Sequence, residues 1–210
     1  MGIEVRRAQL ADLDAVVDVH MQAFRGFLLT KLGRGVVRRY YDTVLHYANG
    51  VILVAADGAK VVGFASGFAK PDHFARALRR RAVGILPHVL VGIIRHPEVA
   101  WTVMQNAAAV LRARPVGYQP DPRDFELSSV GVLPETQGKG VGRALVQAIV
   151  SEARRHGVPG VYLYTDAEDN ERAKRLYTAA GFVLQAGYTA TGGRQRYYYR
   201  LSFENAPSSL

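Results

Sequence analysis

The sequence predicts an α/β fold built on a mixed sheet, and three observations predict it. Amphipathic stretches with helical spacing alternate with short apolar runs of strand length along most of the 210 residues. Turn signals at Asn49-Gly50, Asp57-Gly58 and Thr191-Gly192-Gly193 bound those runs, and the last two join neighbouring runs as hairpins. Hydrophobic residues make up 49% of the chain, enough to bury a full core in one domain of ordinary size or one domain with an insertion.

Taken in order, "IEVRRAQ" (3–9) reads as a strand. Asp12 then stands as an N-cap before Leu13, Val16, Val17 and His20-Met21, the apolar face of a helix reaching about Phe24. "RGFLLTKLGRG" has glycines near both ends and reads as a loop. Val36, Val37, Tyr40, Tyr41, Val44 and Leu45 define a helix over 36–48, stopped by Asn49-Gly50. "VILVAAD" (51–57) and "KVVGFASGFA" (60–69) form a hairpin. From 71 to 118 the chain is helix-like and arginine-rich, broken at Pro87 and Pro97, and reads as a helical insertion between strands. Order returns with a strand at 125–133, a glycine loop, a helix over 141–156 and a strand at 160–166. A helix from about Asn170 to Ala180, ended by Gly181, and a closing hairpin complete a single domain over 1–205. Residues 206–210 read as a frayed tail, and no internal repeat is present.

Composition narrows the function. The chain has no cysteine, which removes disulfides, Cys-based zinc sites and thiol catalysis together; no metal site is expected. The opening "MGIEVRRAQLADLD" has early acids and no apolar run, so a secretory signal is not expected. The expected location is cytoplasmic. Net charge is +9, and the insertion concentrates it: Arg76, Arg79, Arg80, Arg81, Arg95, Arg112 and Arg114 stand against Asp72 and Glu98. No basic run is interleaved with aromatics, which argues against nucleic acid as a partner. The apolar run 82–94 is too short to span a bilayer. A contact with a membrane surface, a cover over a large acceptor, a packed helical hairpin and a homodimer contact all remain open for the insertion.

The chemistry-bearing motif is "QGKGVG" at 137–142. A nucleotide-magnesium loop requires Ser or Thr after Gly-Lys, and Gly140 stands there instead. A dinucleotide loop requires G-x-G-x-x-G after the first strand of a parallel unit, whereas this one reads G-x-G-x-G after a middle strand. What fits is a nest of backbone N–H groups at a helix N-terminus, suited to a pyrophosphate without metal. Lys139 and Arg143 add charge at its rim. A glycine-rich helix entry with a solvated lysine is the plainer alternative.

The surrounding stretch decides between them. "VGVLPE", Q-x-x-G-x-G, a helix, a strand and "N-x-x-A-x-x-x-Y-x-x-x-G-F" follow one another in an order that resembles the GCN5-related N-acetyltransferase (GNAT) family. The resemblance is specific over about 125–188, looser over 3–69, and leaves out 71–118. It implies the acyl-CoA N-acyltransferase fold: a mostly antiparallel sheet with flanking helices and a splayed parallel pair, in which acetyl-CoA lies as co-substrate. Matched residue by residue, it implies that Gln137 opens the loop and that Gly138, Lys139, Gly140, Gly142 and Arg143 surround the pyrophosphate. Val130 and Val132 would offer backbone groups to the pantetheine arm as an added strand would. Asn170 would stand near the coenzyme, with an ordinary N-cap as its alternative.

Tyr177 matches the tyrosine that protonates a departing thiolate, with core packing as its alternative. The match is weaker for the base. The middle of the strand reads Leu127-Ser128-Ser129, and Glu126 is the nearest carboxylate, working through water or standing as a solvated strand end. His20 and His46 are lesser candidates. Phe24, Phe27 and Leu28 would form an apolar wall for the acceptor, with Arg25 and Lys31 nearby. The expected reaction is direct transfer of an acetyl group to a primary amine of unstated identity, an amino sugar or other small amine. The alternative is an acyl-CoA-binding module of weak turnover, acting as sensor or partner.

Overall fold

The computed structural model describes residues 2–101, 103, 120–168, 170–190 and 193–203, with Ala82 and Val83 described by backbone alone. β1 (Ile3–Arg7) passes through a 3-10 turn into α1 (Leu13–Ala23). Next come α2 (Leu28–Leu32), α3 (Arg34–His46) and the hairpin β2 (Gly50–Asp57) and β3 (Lys60–Phe68). α4 (Pro71–Arg80), α5 (Ala82–Arg95) and a 3-10 turn at Pro97–Val99 occupy the first part of the expected insertion. Its part at 104–118, the turn residues 191–192 and the tail at 206–210 lie outside the described residues. The chain continues with β4 (Phe125–Val132), α6 (Val141–Arg155), β5 (Gly160–Asp166), α7 (Glu171–Ala179), β6 (Val183–Thr189) and β7 (Gln195–Ser202).

The strands form one seven-stranded sheet among the described residues, in the order β1-β2-β3-β4-β5-β7-β6. Every neighbouring pair is antiparallel except β4 and β5. This is the mixed α/β sheet expected above, with its parallel pair at the centre.

Helices cover both faces, and two adjacent residues of β3 show how. Phe64 packs against the rings of His20 and Phe24 from α1 and Tyr41 from α3, at centroid distances of 6.4, 6.4 and 5.1 Å. Its neighbour Gly63 faces the other way, where a Cβ would touch Val141 and Leu145 of α6 at 3.1 Å. Strand alternation thus sends one side chain into each layer. Tyr41, Phe64, Leu145 and Ile149 are fully buried, and burying side chains of this size stabilises the fold by roughly 1.5–3 kcal/mol each.

Three local expectations are corrected. Asp12 does occupy the N-cap position of α1 but makes no capping bond. Its carboxylate instead takes both Arg6 guanidinium nitrogens, at 2.7 and 2.8 Å, and the Gln9 N–H at 2.7 Å, pinning the helix start to β1. The stretch read as a loop contains α2, because its apolar residues have partners remote in sequence: Leu32 joins Val36 and Val99, with Ile85, Val89 and Ile93 packed against them. Pro87 does not break α5. The proline costs one helical hydrogen bond, but packing of Ile85, Val89 and Ile93 onto α2 and α3 keeps the helix continuous.

His20 sets a pH limit on stability. It is buried, its Nδ1 lies 2.8 Å from the Tyr41 hydroxyl, and burial lowers its pKa to about 4. The unfolded chain would bind that proton near pH 6.5, so unfolding takes up a proton in the interval between. Stability from this site is therefore complete above about pH 6.5 and is lost as pH falls toward about 4, by at most about 3 kcal/mol. Thermal melts across that interval should show the decline, and His20→Gln should flatten it. An unchanged pH slope would assign the effect to other groups.

Candidate active site

The site begins where a ladder stops. β4 and β5 pair only at Phe125 with Val161 and Glu126 with Tyr162. Beyond that point β5 stays on β7 as far as Asp166, paired with Arg196, and β4 stays on β3 as far as Val132, paired with Gly63. The β3–β4 register also slips: Ser66 faces Ser129 and Gly67 faces Leu127, so Ser128 is the extra residue of a bulge. A bulge increases local twist and turns a strand away from its neighbour. The result is a V-shaped opening between 127–132 and 163–166. The facing strand edges, with Val130 and Val132 on one of them, resemble the free edges onto which an extended chain adds.

At the wide end of β4 a 3-10 turn at Pro134–Thr136 delivers the chain to the glycine loop. Gly138 and Gly140 have φ of 83° and 81°, in the left-handed region, with open space where a Cβ would stand. The loop therefore uses glycine for backbone conformation rather than for room. Gly142 is set differently from the other two. It lies within α6 at ordinary helical φ, and a Cβ there would meet Leu176 of α7 at 3.4 Å. The first bond of α6 runs from the Ala144 N–H to the Gly140 carbonyl at 3.0 Å. The N–H groups of Val141, Gly142 and Arg143 precede it and have no intrahelical acceptor, so they point forward with the positive end of the helix dipole. Lys139 and Arg143 are exposed at this rim. Gln137 is tied back to the domain, its Oε1 accepting from Arg172 of α7.

Asn170 and Tyr177 place α7 on the other side of the opening. Asn170 precedes α7 but makes no capping bond; its Nδ2 donates to Thr165 Oγ1 of β5 at 2.6 Å. Tyr177 is buried beside Phe182 and Tyr199, at centroid distances of 6.0 and 6.4 Å, and desolvation raises its hydroxyl pKa to about 12. It is a protonated phenol at every physiological pH.

Glu126 sits at the apex of the opening, where the two strands last pair. The Tyr162 hydroxyl donates to its Oε2 at 2.7 Å. Burial pushes the carboxyl pKa above its ordinary value, opposed by the Tyr162 bond and by the charge of Arg196. Next along β4, the Ser128 hydroxyl shares a short bond with Tyr40 of α3. Burial and the Glu126 charge both hold the Tyr40 phenol protonated. Glu126 is thus a partly buried carboxylate held by the Tyr162 hydroxyl rather than a solvated strand end.

The other two base candidates stand apart from this cluster. His20 is in the core against Tyr41, and His46 lies exposed on α3 with Nδ1 2.8 Å from the Asp42 carbonyl. Of the three residues read as an acceptor wall, Phe24 and Phe27 meet edge to face at 5.5 Å, and Arg194 of the β6–β7 hairpin lies over the Phe27 ring at 4.9 Å. Leu28 turns instead into the cluster of Leu32, Val36 and Val99.

Several residues of this region were not singled out from the sequence. Tyr162, Tyr164 and Tyr188 join in edge-to-face ring contacts at 5.6 Å, and Arg196 lies over Tyr164 at 5.7 Å. The signal for the first two was the alternation in "GVYLYTD", which puts Tyr162 and Tyr164 on one face of β5.

Known proteins resemble the chain in sequence and in fold. Residues 76–182 match the acetyltransferase (GNAT) family, a span that takes in much of the stretch the motifs left out. The mycothiol acetyltransferase of Nocardiopsis dassonvillei is 42% identical over 85 residues, 40% of this chain and 23% of that protein. The mycothiol acetyltransferase of Beutenbergia cavernae is 35% identical over 96 residues, 46% of this chain and 32% of that protein. The chain thus spans a third or less of the length of these relatives. The solved ribosomal-protein-S18-alanine N-acetyltransferase from Escherichia coli superposes with a TM-score of 0.60 at 16% identity, covering 100% of this chain and 99% of that one. A Salmonella typhimurium structure described as an acetyltransferase with its cofactor acetyl-CoA gives 0.60 at 18% identity, covering 100% of both chains. At those identities the likeness is one of fold.

The Glu126–Tyr162 bond gives a direct check on the electrostatics. A hydrogen bond donated to a carboxylate favours the charged form, so removing it raises the pKa. In Tyr162→Phe the Glu126 carboxyl carbon, followed by NMR, should titrate at higher pH than in the parent. A titration that stays put or moves down would mean that Tyr162 does not hold this carboxylate.

Proposed function

The chain belongs to the GNAT family of acetyltransferases, and from that premise we propose that it transfers an acetyl group from acetyl-CoA to a primary amine by direct attack. The observation that carries this reading is the end of β4–β5 pairing at Glu126 and Tyr162, directly ahead of a glycine loop and helix N-terminus.

The donor set suits the coenzyme. N–H groups at the start of α6, together with the loop set by Gly138 and Gly140, offer a pyrophosphate several hydrogen bonds without a metal. Lys139 and Arg143 add positive charge beside it. The inner edge of β4 at Val130 and Val132 offers peptide groups to the amides of a pantetheine arm, and Asn170 lines the same opening from the α7 side. The coenzyme supplies the acetyl thioester; the chain supplies geometry and proton handling.

In this reading Glu126 accepts the proton that the amine loses as its nitrogen bonds to the acetyl carbon. Its raised pKa brings it closer to neutrality, where a general base works best. Tyr177 gives its phenolic proton to the sulfur as the carbon–sulfur bond breaks. Holding both substrates in one opening would supply much of the rate. Phe24 and Phe27 form the apolar side of the acceptor mouth. Because the curated relatives bear the name mycothiol acetyltransferase, mycothiol-related amines head the acceptors to be tried, followed by amino sugars and other small amines.

Incubation with acetyl-CoA and such a panel, read by mass spectrometry, tests the proposal. Glu126→Gln should lower kcat by roughly 10²–10⁴-fold and remove the acidic limb of the pH–rate profile. Tyr177→Phe should lower kcat while leaving KM for acetyl-CoA unchanged. Tight acetyl-CoA binding with neither transfer nor hydrolysis would instead identify an acyl-CoA-binding module.

A further inference from the structure

We propose that the outer face of α5 lies on an anionic membrane surface. The inner face of this helix is accounted for: Ile85, Val89 and Ile93 pack onto Leu28, Leu29, Leu32 and Val36. Gly92 brings the two backbones close, since a Cβ there would stand 2.6 Å from the Leu32 carbonyl oxygen. The outer face is equally apolar and, among the described residues, is left exposed. Leu86, Leu90 and Ile94, spaced four apart along one stripe, are 57%, 53% and 79% exposed, with Val91 beside them. Trp101, just past the following 3-10 turn, is 62% exposed. A helix apolar on both sides but buried on only one needs a second apolar phase for the other.

The charges around the stripe say which phase. Arg76, Arg79, Arg80 and Arg95 are exposed and make no ion pair among the described residues, and Arg81 pairs only with Asp42. Of the two acids between 71 and 101, Glu98 is taken by Lys31 and His96. An apolar stripe with a tryptophan, in a segment rich in exposed arginines that make no ion pair among the described residues, matches the interface between acyl chains and anionic headgroups. A second copy of the chain fits less well, because a contact through this stripe would bring together two surfaces that are both positively charged. α5 has 14 residues, and no helix among the described residues is long and apolar enough to cross a bilayer, so the helix lies along the surface.

The chain has one tryptophan, so its own fluorescence reports on the contact. The 210-residue chain is titrated with phosphatidylcholine vesicles and with vesicles containing about a third phosphatidylglycerol, at low and at high salt. The proposal predicts a blue shift of Trp101 emission and co-sedimentation with the anionic vesicles only, weakened by salt. It also predicts at least a tenfold loss of vesicle affinity in Leu90→Gln/Ile94→Gln and again in Arg79→Gln/Arg80→Gln. Both variants change exposed side chains, and unaltered melting temperatures establish that they fold. No binding to anionic vesicles overturns the proposal. So does equal binding to both vesicle types, the same blue shift with a short DNA duplex, or a concentration-dependent dimer that the Leu90→Gln/Ile94→Gln variant abolishes.

Discussion

Everything about this site follows from a hydrogen-bond ladder that stops after two residue pairs. Parallel strands in the middle of a sheet ordinarily stay paired along their length, because unpaired peptide groups in a protein interior are costly. Here β4 and β5 part after Glu126 and Tyr162 while each keeps its outer partner. The Ser128 bulge supplies a local cause for the divergence. The edges left facing the opening favour an extended ligand rich in amide groups. The same divergence leaves the last paired residue, Glu126, at the floor of the opening, partly out of water and hydrogen-bonded by Tyr162.

Much of this was legible because it rests on short-range rules. Gly138 and Gly140 adopt the left-handed backbone that glycine alone takes freely, and the α6 helix starts where the apolar period resumes. Both hairpins, the parallel pair and the element order follow from runs, turns and the family pattern around 125–188. What was not legible depends on partners remote in the chain. α2 is five residues long and has no strong signal of its own; it exists because α5 comes back to cover it. Pro87 breaks helices in isolation, yet here tertiary packing outweighs the lost bond. The closeness of Gly142 to Leu176 of α7 likewise depends on a partner remote in the chain. Asn170 carried the pattern of an N-cap but bonds back to Thr165 at the end of β5, only five residues earlier, so here the misreading lay in a local turn rather than in a remote partner.

The site residues divide along the same line. The loop and the strand edge were readable because what they offer is set by backbone conformation, which the glycines and the strand pattern already specify. The surroundings of Glu126 were not, because its neighbours Tyr162, Arg196 and Tyr40 come from β5, β7 and α3. A carboxylate at a strand end looks solvated in a sequence, and only the folded sheet takes it partly out of water. The insertion connects to this region through α2: its helix α5 seats on the element that follows Phe27.

The central claim is that the opening between β4 and β5, with the loop beyond it, receives coenzyme A through backbone groups. Titrating isotope-labelled protein with coenzyme A and following the amide resonances tests this most directly. The account predicts that the amides of Gly138, Gly140, Val141, Gly142 and Arg143 shift together with those of Val130 and Val132, at one common affinity. Saturable binding that leaves these seven amides unmoved and perturbs another face of the sheet would contradict it.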